Sequence, residues 1–349
     1  MNVRSFFIIG ALLALSVAVR AGARPSQEVR EGSPVSPTHR AMYVRGLQFL
    51  VDHQQPSGSF DGDAGVTAIC VMALLASGED PNYGRYAGAV RRGVGSLLEA
   101  QNARTGQIGS GMYQHGFGLL CLAEAYGAVD DRLLKEEFPD LGRTVGEAVE
   151  LAVSCAVTSQ GENPFNAWRY TRKSIDADSS VAGAVMMGLL GARNAGLSVP
   201  DDAIEKGLIY LSDMTSSEGE VAYSGVGGAE SSEARTAIVA TVFAVAKRRE
   251  TDTFLAVERG ALEKARRGPG PDDSRHPCYT RYYVSQALFQ VDHGAWKAWS
   301  TENSKDLMRR QASDGSFRMP EATRQGCYPT GMLLLSAALE FSFLPIYER

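Results

Sequence analysis

The chain has 349 residues, a formal net charge of −5 at pH 7 and a hydrophobic content of 44%. This mild acidity argues against a nucleic-acid partner, because proteins that bind phosphate backbones present basic surfaces. The sequence contains no Gly-x-Ser-x-Gly, P-loop or His-Glu-x-x-His motif, and we expect no cofactor.

The first 23 residues have the pattern of a signal peptide. Arg4 supplies a positive charge, an apolar run extends from Phe6 to Val19, and Ala21-Gly22-Ala23 offers small residues for cleavage. Residues 24–39 are polar and contain three prolines, which is typical of a flexible linker. We therefore expect an exported protein, periplasmic or extracellular, with one folded domain over residues 40–349. The alternative is a protein anchored by an uncleaved N-terminal segment.

Beyond the linker, two kinds of helical segment alternate along the chain. The segment 40–53 is amphipathic, because Tyr43, Leu47 and Leu50 recur on one helical face. The segment 66–76 is apolar on nearly all sides, which predicts burial on all sides. The alternation gives six predicted helix pairs, at 40–76, 86–127, 141–195, 202–248, 252–291 and 296–342. No segment alternates as a strand does, so the sequence predicts an all-α (α/α)6 toroid, a closed ring of six hairpins with apolar inner and amphipathic outer helices.

A short motif recurs between the two helices of a pair. Its clearest copies are Gln54-x-x-x-Gly58-x-Phe60 and Gln311-x-x-x-Gly315-x-Phe317. Weaker copies are expected at Gly106, Gly161 and Gly219, and a sixth without glycine near Asp272. A period of about 50 residues indicates an array of one supersecondary unit. We expect the glutamine to bridge neighbouring outer helices and the aromatic ring to pack into the joint between units.

This repeat resembles that of the terpenoid cyclase and protein prenyltransferase superfamily, the prenyltransferase and squalene oxidase repeat. The two clear copies are similar to its cyclase pattern, with Phe60 and Phe317 where the pattern has tryptophan after Gly-x. The resemblance covers residues 40–349 and implies the toroid fold with an apolar central cavity.

Two further segments resemble those of exported bacterial squalene-cyclase-like repeat proteins. Trp168-Arg169-Tyr170 matches their Gly-x-Trp-Arg-Tyr, with Asn166 where they have glycine. The C-terminal segment Phe343–Arg349 is also similar, and its apolar residues predict that it docks on the body.

One acidic motif is a candidate for catalysis. Asp176-Ala177-Asp178-Ser179-Ser180 resembles the Asp-x-Asp-Asp-Thr of squalene–hopene-type cyclases, in which a carboxylic acid protonates an alkene; Ser179 replaces the third aspartate. The resemblance implies Asp178 as the acid and Asp176 as the residue that tunes it. The alternative is structural, because Asp178 precedes an apolar helix and is a good N-cap. A second difference from those cyclases is that they place their cavity between two barrels, whereas this chain has the length of one.

A metal site is not predicted. Protein prenyltransferases hold zinc with an Asp-x-Cys and a later histidine, and here the right residue types occur at different spacing. A zinc site needs three or four converging ligands. The weak candidates are His276, Cys278 and Cys327. The alternative for the two cysteines is a disulfide bridge, although the odd cysteine count and the lack of Cys-x-x-Cys predict no disulfide framework.

The toroid fold itself predicts a ligand site at the N-terminal rim, the end of the ring where the six inner helices begin. Helix N-termini favour anions, and arginines beside aromatic residues suit an amphiphile with an anionic head, such as a prenyl phosphate or another lipid. The alternative is that these arginines balance nearby acids such as Glu233. The candidate ligand-binding residues are Tyr113, His115, Trp168, Arg169, Arg235, Tyr279, Arg281 and Tyr328.

Three functions therefore remain open from the sequence. The first is binding, without catalysis, of a lipid, an isoprenoid or a protein partner at the cavity or the rim, with peripheral membrane contact as an open addition. The second is a terpenoid cyclase or prenyl-transfer relative with Asp178 as the general acid, which would be an isomerase or a prenyltransferase. The third is a glycosidase or lyase, for which Asp61, Asp63, Asp178 and Glu233 are candidate carboxylates.

Overall fold

The computed structural model describes residues 35–224, 231–269, 276–319, 326–341 and 344–347. The predicted signal peptide lies outside these ranges, as does the expected repeat copy near Asp272. The described part of the linker differs from the prediction, because the first helix already begins at Pro37, with Ser36 as its N-cap. Proline at the first helical position and a serine cap explain this earlier start.

The described residues form thirteen α-helices and a C-terminal 3-10 turn, with no strand among them. In chain order the helices are α1 (Pro37–His53), α2 (Ala64–Leu75), α3 (Ala87–Glu99), α4 (Met112–Ala125), α5 (Asp131–Glu137), α6 (Val145–Glu162), α7 (Ser179–Asn194), α8 (Asp201–Asp213), α9 (Glu233–Val245), α10 (Asp252–Arg267), α11 (Pro277–Val291), α12 (His293–Arg310) and α13 (Cys327–Ala338). The six predicted pairs are present, and the short α5 is an addition that the sequence analysis missed.

Six inner helices form a closed ring. Each contacts the next in the order α2, α4, α7, α9, α11 and α13, and α13 returns to α2. The outer helices α3, α6, α8, α10, α12 and α1 each pack on the inner helix of the preceding pair. The all-α toroid prediction is confirmed.

Small residues allow the inner helices to approach closely. A Cβ atom added to Gly116 of α4 would lie 2.7 Å from the Ala184 carbonyl carbon of α7, and one added to Gly183 would lie 2.0 Å from Ile238 of α9. Gly331 of α13 similarly faces Ile69 of α2. Larger side chains at these positions would push the helices apart.

The repeat motif forms the joints between neighbouring outer helices. The Gln54 side chain donates to the carbonyl oxygens of Gly58 (2.9 Å) and of Ala89 in α3 (2.9 Å), and it accepts from Arg92. Gly58 has a φ of +81°, and a Cβ atom there would lie 2.1 Å from the Arg92 carbonyl oxygen. The position therefore needs glycine for both its conformation and its close contact.

The last copy of the motif closes the ring. Gln311 donates to Gly315 and to Met42 of α1, and Arg45 donates to Gln311. Phe60 and Phe317 are both buried in their joints. The glutamine of the last unit thus holds the first outer helix, as Gln54 holds the second.

The copy expected at Gly161 was placed wrongly. Gly161 lies within α6, whereas Asn166 adopts the positive φ (+51°) that glycine has in the other turns. Asparagine tolerates this conformation better than most residues. The adjacent Gln160 makes the expected bridge, to the Ala203 carbonyl of α8.

The C-terminal segment docks on the ring, as predicted. Leu344 and Ile346 are buried, and the Ile346 N–H donates to the buried Glu124 carboxylate of α4. Within the described residues, no helix combines the length and apolar character that a membrane span requires.

Candidate functional site

Asp178 lies at the N-terminal rim and is fully buried. One carboxylate oxygen, Oδ1, accepts from the Ser180 N–H (2.9 Å) and the Val181 N–H (2.8 Å), so Asp178 is the N-cap of α7. The other oxygen, Oδ2, has no hydrogen-bond partner among the described residues. The N-cap role uses only Oδ1. Asp178 can therefore be both the cap of α7 and a candidate acid.

Burial raises the pKa of Asp178 to about 6, against the opposing effects of the two N–H groups and of Arg169. The Arg169 Nε atom is 4.0 Å from Oδ2. A carboxyl group with this pKa is protonated in part near neutral pH. It is a weaker acid than an exposed aspartate, because burial disfavours its charged form.

Asp176 is the residue to which the resemblance assigns the tuning role. Its side chain is 55% exposed and pairs with Arg169 (2.5 Å). Its charge raises the pKa of Asp178, although burial is the larger cause and Arg169 acts in the opposite direction. The tuning role of Asp176 therefore stays a prediction.

A layer of arginines and tyrosines lies beside Asp178. The Arg169 and Arg235 guanidinium carbons are 5.5 and 5.6 Å from the centre of the Tyr223 ring. Tyr170 and Tyr223 join through their hydroxyl groups, and the Tyr223 backbone carbonyl accepts from the Ser179 N–H at the start of α7. This arrangement holds two cations around one aromatic ring at the rim.

Aromatic rings from opposite sides of the ring of helices meet at its centre. Tyr113 of α4 is 6.0 Å from Tyr279 of α11, and Phe117 of α4 is 6.3 Å from Tyr282 of α11, measured between ring centres. Tyr283 contacts both Tyr279 and Tyr282 at 4.8 Å. We call these five residues the aromatic cluster. Aromatic side chains of α4 and α11 are thus in contact across the centre, so they occupy this level of the expected apolar central cavity.

The aromatic cluster is electrically neutral and continuous with the rim. Burial, followed by the neighbouring phenols Tyr113 and Tyr328, raises the pKa of Tyr279 well above its usual value. The Asp178 carboxylate contributes to the raised pKa of both Tyr113 and Tyr279. Asp178 and Tyr328 of α13 are thus close enough to influence the cluster electrostatically.

Three of the predicted ligand residues have structural positions instead. The buried His115 ring accepts from the Ile108 N–H and donates to the Ala152 carbonyl, and burial lowers its pKa to about 4. Trp168 is buried and donates to the Ala156 carbonyl. Arg281 is buried in a 2.7 Å ion pair with Asp306 of α12. These side chains point toward the outer layer, whereas Tyr113, Arg169, Arg235, Tyr279 and Tyr328 lie at the rim or the cluster.

The other carboxylates of the rim also hold the fold together. Asp61 accepts from the Cys327 N–H (2.9 Å), Asp63 caps α2, and Glu233 pairs with Lys264 (2.7 Å). Each of these three carboxylates thus has a structural partner, and a catalytic pair among them and Asp178 stays a prediction.

The five cysteines are all described, and all are buried free thiols. Cys278 and Cys327 are consequently not bridged. The described residues contain no group of three metal-ligating side chains, so His276 does not join the two cysteines in such a cluster.

Phe117, Tyr223 and Tyr283 were not predicted from the sequence, whereas Tyr282 was expected near the start of an inner helix. Tyr282 and Tyr283 follow Tyr279 at helical spacing, and Phe117 follows Tyr113 by four residues. That spacing was the one signal available for them.

A groove of about 410 Å³ lies between α9, α10 and the turn after α8. Its lining is mostly polar and charged, and includes Glu218, Glu220, Glu233, Glu263, Lys264 and Arg267. It offers an apolar chain little surface to bury.

No model of a known protein family and no curated protein matches the sequence. Among solved structures, a variant of the type II terpene cyclase MstE from Scytonema in complex with its substrate geranylgeranyl dihydroxybenzoate matches with a TM-score of 0.59 and 15% identity, over 88% of this chain and 98% of that chain. MstE in its apo form matches with a TM-score of 0.55 and 14% identity, over 88% and 99%. A protein from Actinoplanes matches with a TM-score of 0.54 and 15% identity, over 87% and 99%. The chain has the terpenoid cyclase-like (α/α)6 toroid fold.

Proposed function

We propose that this protein binds an isoprenoid-like amphiphile at the N-terminal rim, with its chain among the aromatic cluster and its anionic head beside Arg169 and Arg235. The observation that carries the proposal is the layering of this end of the ring. Two arginines surround the half-buried Tyr223 at the rim, and five aromatic rings meet between α4 and α11.

The aromatic rings have to part to admit a chain. Ring–ring contacts would be exchanged for contacts between rings and alkene groups, which are also apolar and polarisable. The tyrosines stay neutral because burial raises their pKa, so entry of an apolar chain creates no buried charge among them. A toroid of this fold, MstE, has been solved with a geranylgeranyl compound, which supports the same class of ligand for this chain.

Calorimetric titration with two probes tests the head and the chain separately. Geranylgeranyl monophosphate carries an anion, and geranylgeraniol does not. We expect Arg169→Gln and Arg235→Gln each to weaken binding of the phosphate about tenfold and to leave the alcohol nearly unchanged, because charged hydrogen bonds are lost.

The matched control is Arg132→Gln, whose arginine pairs with Asp130 outside the rim. An equal loss in the control, or equal losses for phosphate and alcohol, would contradict the assigned head site. No binding of either probe would contradict the function as a whole, and a protein partner would then become the better explanation of the rim.

A second function is favoured by the Oδ2 atom of Asp178, which has no hydrogen-bond partner among the described residues. With Oδ1 accepting two N–H groups, a proton on this carboxyl group belongs on Oδ2. Transfer of that proton to a terminal alkene carbon would form a tertiary cation, which a neighbouring alkene attacks. Loss of a proton then restores the acid, so the reaction is an isomerisation without a co-reactant. Nearby aromatic faces stabilise such cations.

A chain with the length of one toroid is compatible with cyclase activity. The match with the type II terpene cyclase MstE covers 99% of that chain.

Product analysis tests this cyclase alternative. After incubation with geranylgeranyl dihydroxybenzoate, wild type should release a cyclised isomer of unchanged mass, and Asp178→Asn should release none. The rate should rise as the pH falls through about 6, because the protonated carboxyl group is the acid. If wild type at pH 5 leaves geranylgeranyl dihydroxybenzoate unchanged, the cyclase alternative is wrong and only the binding function stands.

We also propose that the chain is exported and cleaved after Ala23. The support is the charged start, the apolar run and the small residues at the end of the N-terminal segment. Intact-mass measurement of the protein from its native cell envelope should give a chain that begins at Arg24. A chain that retains Met1 to Ala23 would show that the segment serves as an anchor.

A further inference from the structure

Three large apolar side chains are exposed on one loop at the N-terminal rim. This rim loop, residues 163–177, connects α6 to α7 and carries Phe165 (47% exposed), Tyr170 (52%) and Ile175 (78%). Single exposed apolar residues are common on proteins, but a group of three on one short loop indicates an interaction surface.

Hydrogen bonds anchor the backbone of the rim loop. The three apolar side chains are therefore exposed on an ordered loop. The Asn163 side chain donates to the carbonyls of Ser174 (2.8 Å) and Asp176 (2.9 Å), and it accepts from the Phe165 N–H (2.9 Å). These three bonds bring the Phe165 end of the loop beside Ile175. Burial of Ala167, Trp168 and Ala177 anchors the remainder.

Basic side chains accompany the apolar ones. Arg172 and the exposed Lys173 lie between Tyr170 and Ile175 and form no ion pair with the described residues. Asp176, the one carboxylate among residues 163–177, is already paired with Arg169. The loop is therefore locally basic on a chain whose net charge is −5.

We propose that the rim loop docks the protein on an anionic lipid bilayer, with Phe165, Tyr170 and Ile175 entering the interface and Arg172 and Lys173 contacting head groups. Apolar and aromatic tips beside cations are the combination that interfacial binding uses. A folded acidic protein surface would match the two cations but would leave Ile175 and Phe165 without an apolar layer to enter. The same loop carries Arg169, so docking would place the rim against the source of a lipophilic ligand.

Vesicle co-sedimentation of the ligand-free protein tests this inference independently of the proposed isoprenoid binding. The probes are vesicles of phosphatidylcholine alone and of phosphatidylcholine with 30% phosphatidylserine. We expect binding to the anionic vesicles only. Ile175→Ser should weaken it about tenfold, from lost apolar burial, and Lys173→Gln about fivefold, with a smaller salt dependence.

Ile209→Ser is the matched control. It makes the same chemical change at a residue that is 59% exposed on the outer helix α8 and is not part of the rim loop. The control should bind as wild type does. Equal binding by all variants, no binding by wild type, or binding lost in Ile209→Ser as much as in Ile175→Ser would each overturn the inference.

Discussion

Asp178 combines two roles in a single carboxyl group. Oδ1 satisfies two N–H groups at the start of α7, whereas burial of the charged form raises its pKa from the ordinary 3.8 to about 6. The folded state therefore binds this proton more tightly than the unfolded chain does. Its contribution to stability is favourable at low pH and is lost as the pH rises from about 4 to about 6.

Replacing Asp178 by asparagine should stabilise the protein above pH 6. Asparagine keeps the N-cap but carries no charge to bury. A pKa rise from 3.8 to about 6 corresponds to about 3 kcal/mol, at about 1.4 kcal/mol per pH unit. Urea unfolding at pH 8 should show Asp178→Asn to be more stable by up to that amount, and the difference should vanish at pH 4. A variant less stable than wild type at pH 8 would mean that the carboxylate is held favourably by its surroundings.

His115 has the opposite effect over nearly the same range. Burial lowers its pKa from 6.5 to about 4, so its contribution to stability is present above pH 6.5 and is lost as the pH falls toward 4. In wild type the two residues offset one another between pH 4 and 6. We expect a nearly flat stability profile there for wild type and a decline on acidification for Asp178→Asn, measured in the same unfolding series.

At the scale of the elements, the joint at Gly58 depends on glycine. Gly58 and Gly127 have similar φ angles, +81° and +77°, but only Gly58 contacts a neighbouring backbone. Gly127→Ala should cost about 1–2 kcal/mol, from conformation alone. Gly58→Ala should cost about 3 kcal/mol or more, because α3 must also move away from the added methyl group.

Thermal and urea unfolding of the two alanine variants provide the measurement. Their difference isolates the contact with the Arg92 carbonyl from the conformational cost. Equal losses would indicate that the joint yields freely and that Gly58 is required for its φ angle only.

The elements themselves were predictable, whereas the residues facing the centre were less so. Period and composition identify the six pairs because an inner helix is apolar and an outer one is amphipathic. An inner helix is apolar on all sides, so its sequence does not show which face points toward the centre of the ring. His115 and Arg281 were thus assigned to the rim, although they face the outer layer. Phe117 was missed because its contact with Tyr282 exists only once the ring closes. Asp178 and Arg169 could be found because they flank the start of a helix.

At the scale of the folded domain, the described inner helices close into a ring, so each joint should matter equally. Gln54 and Gln311 make equivalent hydrogen bonds, the first between units one and two and the second between the last unit and the first. Gln54→Ala and Gln311→Ala should therefore each cost about 2–3 kcal/mol, at about 1 kcal/mol per hydrogen bond. Equilibrium unfolding should show one cooperative transition for both variants. A negligible loss in Gln311→Ala beside a full loss in Gln54→Ala would mean that the ring is open in solution.

The most direct test of the central claim is to locate a bound chain. The protein would be irradiated with a geranylgeranyl phosphate analogue that carries a benzophenone at the far end of its chain, and the adducts would be mapped by peptide mass spectrometry. We predict adducts in the peptides that contain Tyr113 to Phe117 or Tyr279 to Tyr283, reduced by excess unlabelled geranylgeranyl phosphate. Competed adducts in the outer groove of Glu218, Glu263 and Lys264, with none in the aromatic cluster, would contradict the account.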